Sequence, residues 1–271
     1  MPITAGLYYT VFDGNLTPSQ PPIVLLHGAG GSHLCWPIEL RRLENQRVIA
    51  VDLPGHGRSE GMVQQSIAAY ADQLRDFLAG MEIHQVMLVG HSMGGAIALS
   101  LAQAYPNLVT SLGLIASGAY LGVPEDLLES LSSPVTYPVA LRLLQQRAFH
   151  PHTPAALVEK AISPLRAVRS SALYADWRAC ANFDLRPEIA EIKCPTWVAV
   201  GVDDRITPLP YAHFLATQLP SARLQVVPNA GHMVIVEQPE LLAQGLSEFL
   251  RNLSPARYEQ VTHPVLLSRA R

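Results

Sequence analysis

Residues 86–98 read VMLVGHSMGGAIA, and this short stretch restricts the possible folds more than any other part of the chain. An apolar run, Val86 to Val89, stops at Gly90-His91-Ser92-Met93-Gly94, and small residues at helical spacing follow at once. A buried strand, a Gly-x-Ser-x-Gly turn and a helix fit that order. Gly90 and Gly94 lack a Cβ, so the strand end and the helix start can approach closely. Ser92 then sits at the tip of the turn in a strained backbone conformation, with its hydroxyl exposed. It also sits at a helix N-terminus, where free backbone N–H groups favour negative charge. A serine held this way suits a nucleophile whose attack generates an oxyanion. The pentapeptide recurs by chance in many chains; the strand before it and the helix after it give it weight here.

The rest of the chain alternates in the same way. Candidate strands are Leu7–Phe12, Ile23–Leu26, Arg47–Val51, Val86–Val89, Ser111–Ile115, Thr196–Val200 and Leu224–Val227. Several are apolar throughout, as in parallel strands covered on both faces. Candidate helices lie between them, at about 36–45, 66–80, 93–105, 209–219 and 239–252. Pro106 ends the third, and Pro239 opens the last, where its missing N–H costs nothing. This alternation predicts an α/β fold with a mostly parallel, doubly wound sheet of about eight strands. A chain of 271 residues, 49% of them hydrophobic, can bury one sizeable core with one appended subdomain.

The alternation breaks over residues 118–187. The segments PEDLLESLSS, YPVALRLLQQRAFH, PAALVEKAI and VRSSALYADWRACANF carry helical periodicity without convincing strands. Pro124, Pro134, Pro138, Pro151, Pro154 and Pro164 divide them into short helices. The stretch is longer than most crossovers between strands. The expected organisation is therefore a core of residues 1–117 and 188–271, with a helical cap, 118–187, inserted over the C-terminal edge of the sheet. Leu253–Arg271 carries no assigned element.

Composition excludes several classes of partner. Only 15% of residues are charged and the net charge is −3, with no basic block for nucleic acid or an anionic membrane surface. No apolar run approaches the roughly 18 residues of a membrane span. The first residues, MPITAGLYYTVFDGN, lack the basic and apolar regions of a signal peptide. Cys35, Cys180 and Cys194 have no CxxC spacing, which argues against a disulfide framework or a structural zinc site. These features predict a cytoplasmic protein; the expected partner is a small-molecule acyl substrate, and the chain is expected as a monomer or homodimer.

A serine hydroxyl needs a base within hydrogen-bond reach, and the base needs an orienting acid. Among ten histidines, His232 falls in Pro228-Asn229-Ala230-Gly231-His232, just after the strand Leu224–Val227. Two carboxylates, Asp203 and Asp204, follow the strand Thr196–Val200. Ser92, the acid and His232 thus all fall at C-terminal ends of parallel strands, where open α/β sheets place their sites.

With LLHGAGGSHLCW, VIAVDLPGHGRS, GHSMGG, VGVDDRITP and NAGHM in this order, roughly residues 5–252 resemble an α/β-hydrolase-fold protein. The resemblance implies Ser92 as nucleophile, Asp204 rather than Asp203 as acid, and His232 as base. It also implies an oxyanion hole from the backbone N–H groups of Ala29, in the loop His27-Gly28-Ala29-Gly30-Gly31, and of Met93. His27 is expected to bond within its own loop. No cofactor or metal is implied. The serine separates the chain from haloalkane dehalogenases and epoxide hydrolases, which carry aspartate at that position.

Two other motifs fail on inspection. Gly28-Ala29-Gly30-Gly31 with Asp52 on the next strand imitates a dinucleotide fingerprint, but His33 stands where the third glycine belongs. His150-Pro151-His152 lacks an acidic or cysteine partner at ligand spacing. Trp36, Tyr137 and Trp177 are candidate substrate-binding residues, and Met93 a further one; each fits core packing equally well. Arg142, Arg147, Arg166, Arg169 and Arg178 are candidates for binding a substrate carboxylate.

The leading expectation is a serine hydrolase cleaving a carboxylic ester or related acyl compound. The same three residues also serve C–C bond hydrolysis, enol-lactone hydrolysis, perhydrolysis and a proton abstraction in menaquinone biosynthesis within the family. A non-catalytic alternative is a ligand receptor built on the same scaffold.

Overall fold

A computed structural model describes residues 2–14 and 20–253 of the chain. Its strands are β1 (Ile3–Thr4), β2 (Leu7–Asp13), β3 (Ile23–Leu26), β4 (Arg47–Val51), β5 (Val86–His91), β6 (Val109–Ile115), β7 (Thr196–Gly201) and β8 (Ala222–Val227). They form one eight-stranded sheet in the order β1-β2-β4-β3-β5-β6-β7-β8. β2 pairs antiparallel with β1 and β4, and all pairings from β4 through to β8 are parallel. The order reverses around β3, so the connections lead helices to both faces, as a doubly wound sheet requires. β1 has only two residues, too few to show a period in the sequence.

The helices are α1 (Ile38–Arg41), α2 (Ile67–Gly80), α3 (Met93–Ala104), α4 (Glu125–Leu131), α5 (Tyr137–Ala148), α6 (Ala155–Ile162), α7 (Ser170–Ala181), α8 (Leu209–Gln218), α9 (Val234–Glu237) and α10 (Pro239–Arg251). The central strands are apolar at every position because each face has its own core. Val24, Leu26, Val86 and Leu88 pack with Leu74 and Phe77 of α2 and Ile97 and Leu101 of α3. Ile23, Leu25, Met87 and Val89 pack on the other side with Leu40 of α1 and Leu242, Leu246 and Phe249 of α10. Alternate residues point to opposite faces of a strand, so a strand covered on both sides carries no polar alternation.

One expected helix is much shorter than its pattern. In place of a helix over about 36–45, a 3-10 turn at His33–Cys35 precedes the single turn of α1. Pro37 stands between them with extended backbone, and proline lacks the N–H needed to continue a helix through that point. The segment Leu253–Arg271, left without an element, lies outside the described residues apart from Leu253.

Helices α4 to α7 occupy the long connection between β6 and β7. The two ends of that connection meet at the sheet: Tyr120 forms an antiparallel bridge with Asp184, and Leu185 N–H donates to the Ala119 carbonyl at 2.7 Å. The four helices share an apolar cluster of their own, including Leu127, Leu131, Leu144, Ile162, Leu173 and Trp177. Ile206, from the β7–α8 loop, is buried within this cluster, and Ala29 and Met233 pack against it. Those contacts set the helices directly over the loops that leave the sheet at its C-terminal edge.

Candidate active site

The elbow between β5 and α3 forces Ser92 into a positive φ of 55° with ψ at −118°. A non-glycine residue there is strained, and such strain persists only where the surroundings over-determine it. Ser92 N–H donates to the Ile115 carbonyl at 2.9 Å, and Ser117 Oγ donates to the Ser92 carbonyl at 2.8 Å. The elbow is also crowded from both sides. A Cβ on Gly94 would stand 2.1 Å from the Leu26 carbonyl oxygen, and one on Gly90 would stand 2.2 Å from Gly94 backbone. These clashes are with backbone and cannot be relieved by a rotamer change, so the two glycines are steric requirements of the turn.

His232 and Asp204 reach the elbow from neighbouring strand ends. Ser92 Oγ lies 2.9 Å from His232 Nε2, and His232 Nδ1 lies 2.9 Å from Asp204 Oδ2 and 3.2 Å from Oδ1. All three residues are buried. A carboxylate can only accept, so Nδ1 carries the imidazole proton and Nε2 is left to accept from the serine hydroxyl. Asp204 is held in turn by Ile206 N–H and Thr207 N–H, each 2.8 Å from Oδ1, and by Thr207 Oγ1, 2.8 Å from Oδ2. Burial works to raise the Asp204 pKa. The nearby His232 charge and the bonds from His232 and Thr207 outweigh it and hold the carboxyl below its ordinary range. Asp203 does not join this chain; its carboxylate stands 3.4 Å from His150 Nε2 and is 39% exposed.

The two other histidines nearby are neutral supports. His27 Nδ1 donates to the Gly28 carbonyl at 2.8 Å, and its Nε2 accepts from Leu53 N–H at 3.0 Å. Burial, together with the charge of His56, pushes its pKa down to about 4. His91 Nε2 donates to the His232 carbonyl at 2.9 Å, and burial followed by the charge of His232 pushes its pKa down to about 3.

The loop after β3 passes beside the serine. A Cβ on Gly28 would lie 3.3 Å from Ser92 Cβ. Ala29 lines the same cavity as Ser92, and Met93, as the first residue of α3, has a backbone N–H with no acceptor inside the helix. The neighbouring N–H groups of that loop are committed elsewhere: Gly31 N–H donates to the Gly28 carbonyl and Gly30 N–H to Asp176 Oδ2.

Ser92 and His232 open into a cavity of about 650 Å³, a volume that includes solvent at its mouth. Its walls include Leu144, Ile162, Leu165, Trp177, Ile206 and Met233, and among the described residues no Lys, Arg, Asp or Glu lines it. Trp177 is one of the cavity residues. Trp36 is not: its indole is 1% exposed and packs in the core on the α1 and α10 side of the sheet. Tyr137 is not either: its hydroxyl donates to the Leu165 carbonyl and its ring lines a separate groove with Arg142 and Arg166. Met93 is fully buried in the core beneath the elbow. Of the five candidate arginines none lines the cavity; Arg147 pairs with Asp126, Arg166 with Glu159, and Arg178 stacks on Tyr174. Among the described residues no three His, Cys, Asp or Glu side chains are grouped as a metal site requires.

Several supporting residues carry no sequence signal of their own. Thr207 bonds Asp204 and stands 3.2 Å from His232 Nδ1. Glu237 accepts from Gly231 N–H through one oxygen and from His150 N–H and Thr153 Oγ1 through the other, tying the His232 loop to the segment after α5.

A family model described as the alpha/beta hydrolase family matches residues 23–245. The chain is similar to the uncharacterized protein Rv2715 of Mycobacterium tuberculosis, with 29% identity over 93% of this chain and 81% of that protein. It is similar to a Serratia proteamaculans protein provisionally named carbamate hydrolase RutD, with 31% identity over 86% of this chain and 92% of that protein. Among solved structures, a thermophilic esterase superposes with a TM-score of 0.77 at 28% identity, covering 90% of this chain and 98% of the esterase.

Proposed function

The chain belongs to the alpha/beta hydrolase family, and from that premise we propose that it is a serine hydrolase cleaving esters of uncharged, apolar acids through an acyl-enzyme on Ser92. The observation that carries this reading is the continuous hydrogen-bonded chain from Asp204 through His232 to Ser92 Oγ. His232 Nε2 takes the hydroxyl proton as Ser92 Oγ attacks the acyl carbon. The N–H groups of Ala29 and Met93 receive the oxyanion, each such donor contributing about 2.7–4 kcal/mol of transition-state stabilisation. His232 then returns the proton to the leaving alkoxide, and water repeats the sequence to release the acid. Asp204 keeps the imidazole in the productive tautomer and stabilises its charged form. Residues 118–187 act as the cap that supplies the acyl-pocket wall, with Trp177 among the residues that touch substrate.

The cavity wall argues for the substrate class. A substrate carboxylate buried there has no Lys or Arg partner among the described residues, and burying an unpaired charge is strongly unfavourable. That favours esters of neutral acids over the enol lactones, dienoates and other carboxylate-bearing substrates handled elsewhere in the family. The carbamate named for the Serratia relative is a second reading, supported by the 31% identity with that protein.

The test is covalent labelling by a fluorophosphonate together with turnover of p-nitrophenyl esters of increasing acyl length, one p-nitrophenyl carbamate and one dienoate C–C substrate. The expected result is labelling with fastest turnover on a neutral aliphatic ester. Labelling without turnover of any of these substrates overturns hydrolysis in favour of a receptor role.

A further inference from the structure

Asp176, on the cap helix α7, is fully buried and lies outside the chain of residues that carries the proposed chemistry. Three groups far from it in sequence converge on it. Its Oδ2 accepts from Gly30 N–H at 2.8 Å and stands 2.8 Å from His56 Nε2; its Oδ1 accepts from Tyr70 OH at 2.6 Å. Gly30 is the residue after Ala29. We propose that Asp176 is a positioning residue that sets the orientation of the Ala29 N–H, so that the cap holds the oxyanion loop in its working shape; this rests on the serine-hydrolase reading above.

The charge state supports the arrangement. His56 Nδ1 lies 3.0 Å from the Pro54 carbonyl and Nε2 faces the Asp176 carboxylate. Both nitrogens face acceptors, so the imidazole carries both protons and pairs as a cation with Asp176. Burial works to lower the His56 pKa, but the bond to Asp176 and its charge outweigh it and raise the pKa above the ordinary value. The carboxylate therefore has three donors, one of which is the loop itself. A buried charge with this many partners is rigidly held, and rigidity at the 0.5 Å scale is what an oxyanion donor needs. Packing acts in the same direction. Gly30 has φ of +67°, and a Cβ there would stand 2.6 Å from Leu173 Cδ1 and 3.0 Å from Leu165 Cδ2, so the cap presses on the loop at the residue that Asp176 bonds.

The test compares Asp176→Ala with Asp176→Asn, which keeps one acceptor for Gly30 N–H. Three quantities are read on each folded variant: steady-state kinetics on the best ester, the affinity of a trifluoromethyl ketone that forms an oxyanion on the serine, and hydrogen exchange of the 27–35 segment. The expected result for Asp176→Ala is a kcat lower by about 10- to 100-fold, as befits a displaced rather than deleted donor. The ketone affinity falls by a similar factor, KM stays within about threefold, and the 27–35 segment exchanges faster; Asp176→Asn lies between. If Asp176→Ala does not fold, Asp176→Asn carries the test with the same directions at smaller size. Unchanged ketone affinity and kcat in a folded variant overturn the proposal, whether or not the variant is less stable. An inactive wild type sinks the serine-hydrolase reading instead; the exchange comparison still decides whether Asp176 holds the loop.

Discussion

His91 Nε2 lies 2.9 Å from the backbone carbonyl of His232, so the residue just before Ser92 fastens the loop that delivers the imidazole. The elbow thus fixes Ser92 and one end of the His232 loop together. Both groups are buried, and removing the donor leaves a carbonyl without its partner.

His91→Ala is therefore expected to destabilise the fold and to loosen the Ser92–His232 contact. The orphaned carbonyl alone costs about 1–3 kcal/mol. At roughly 2–4 °C per kcal/mol for a chain of this size, the melting temperature falls by several degrees. Thermal unfolding and ester kinetics on the same preparation check this, with kcat/KM expected to fall by about tenfold as the base loses its fixed position.

The two adjacent aspartates should separate cleanly. Asp204→Asn leaves a neutral amide opposite His232 Nδ1 and favours the wrong tautomer, so kcat is expected to drop by about 10⁴-fold. Asp203→Asn removes only a half-exposed charge facing His150 and should leave kcat within about twofold. Equal losses in the two variants contradict the assignment.

Acid should destabilise the protein above the range where its carboxylates titrate. His27 and His91 have pKa values pushed from 6.5 to about 4 and about 3 in the folded state. Below about pH 6.5 the unfolded chain binds protons at these two positions that the folded chain refuses. Stability present above that pH is lost as pH falls toward the folded values, at about 1.4 kcal/mol per pH unit for each histidine. His56 has the opposite sign, since its raised pKa favours the fold below its unfolded value and loses that contribution as pH rises. The net expectation, two against one, is lower stability at pH 5 than at pH 7.5. Urea denaturation at the two pH values, repeated on His91→Gln, measures the contribution of one site.

Narrowing the cavity should change the order of substrates. Leu144 lines the wall beside Trp177, and Leu144→Trp fills part of the acyl pocket. The ratio of kcat/KM for an octanoate ester to that for an acetate ester is expected to fall at least tenfold. An unchanged ratio places the acyl chain elsewhere.

Much of this arrangement was legible in the sequence because it depends on where strands end. The apolar runs at 23–26, 86–89 and 196–200 are β3, β5 and β7, and the loops after them hold Ala29, Ser92 and Asp204. Direction of a side chain within a packed segment was not legible. Trp36 and Trp177 are both large, apolar and beside a proline or a helix, yet one is core beneath the sheet and the other is cavity wall. Asp176 reads as an ordinary polar residue in YADWRA; its partners stand 146, 120 and 106 residues away, and no local pattern encodes that meeting.

The most direct test of the central claim is acid-quenched mass spectrometry during turnover of a p-nitrophenyl ester. The expected result is the acyl mass on the peptide containing Ser92 in the wild type, absent in Ser92→Ala, whose kcat falls by about 10⁶-fold. Turnover with no acyl group on Ser92, or near-normal turnover by Ser92→Ala, contradicts it.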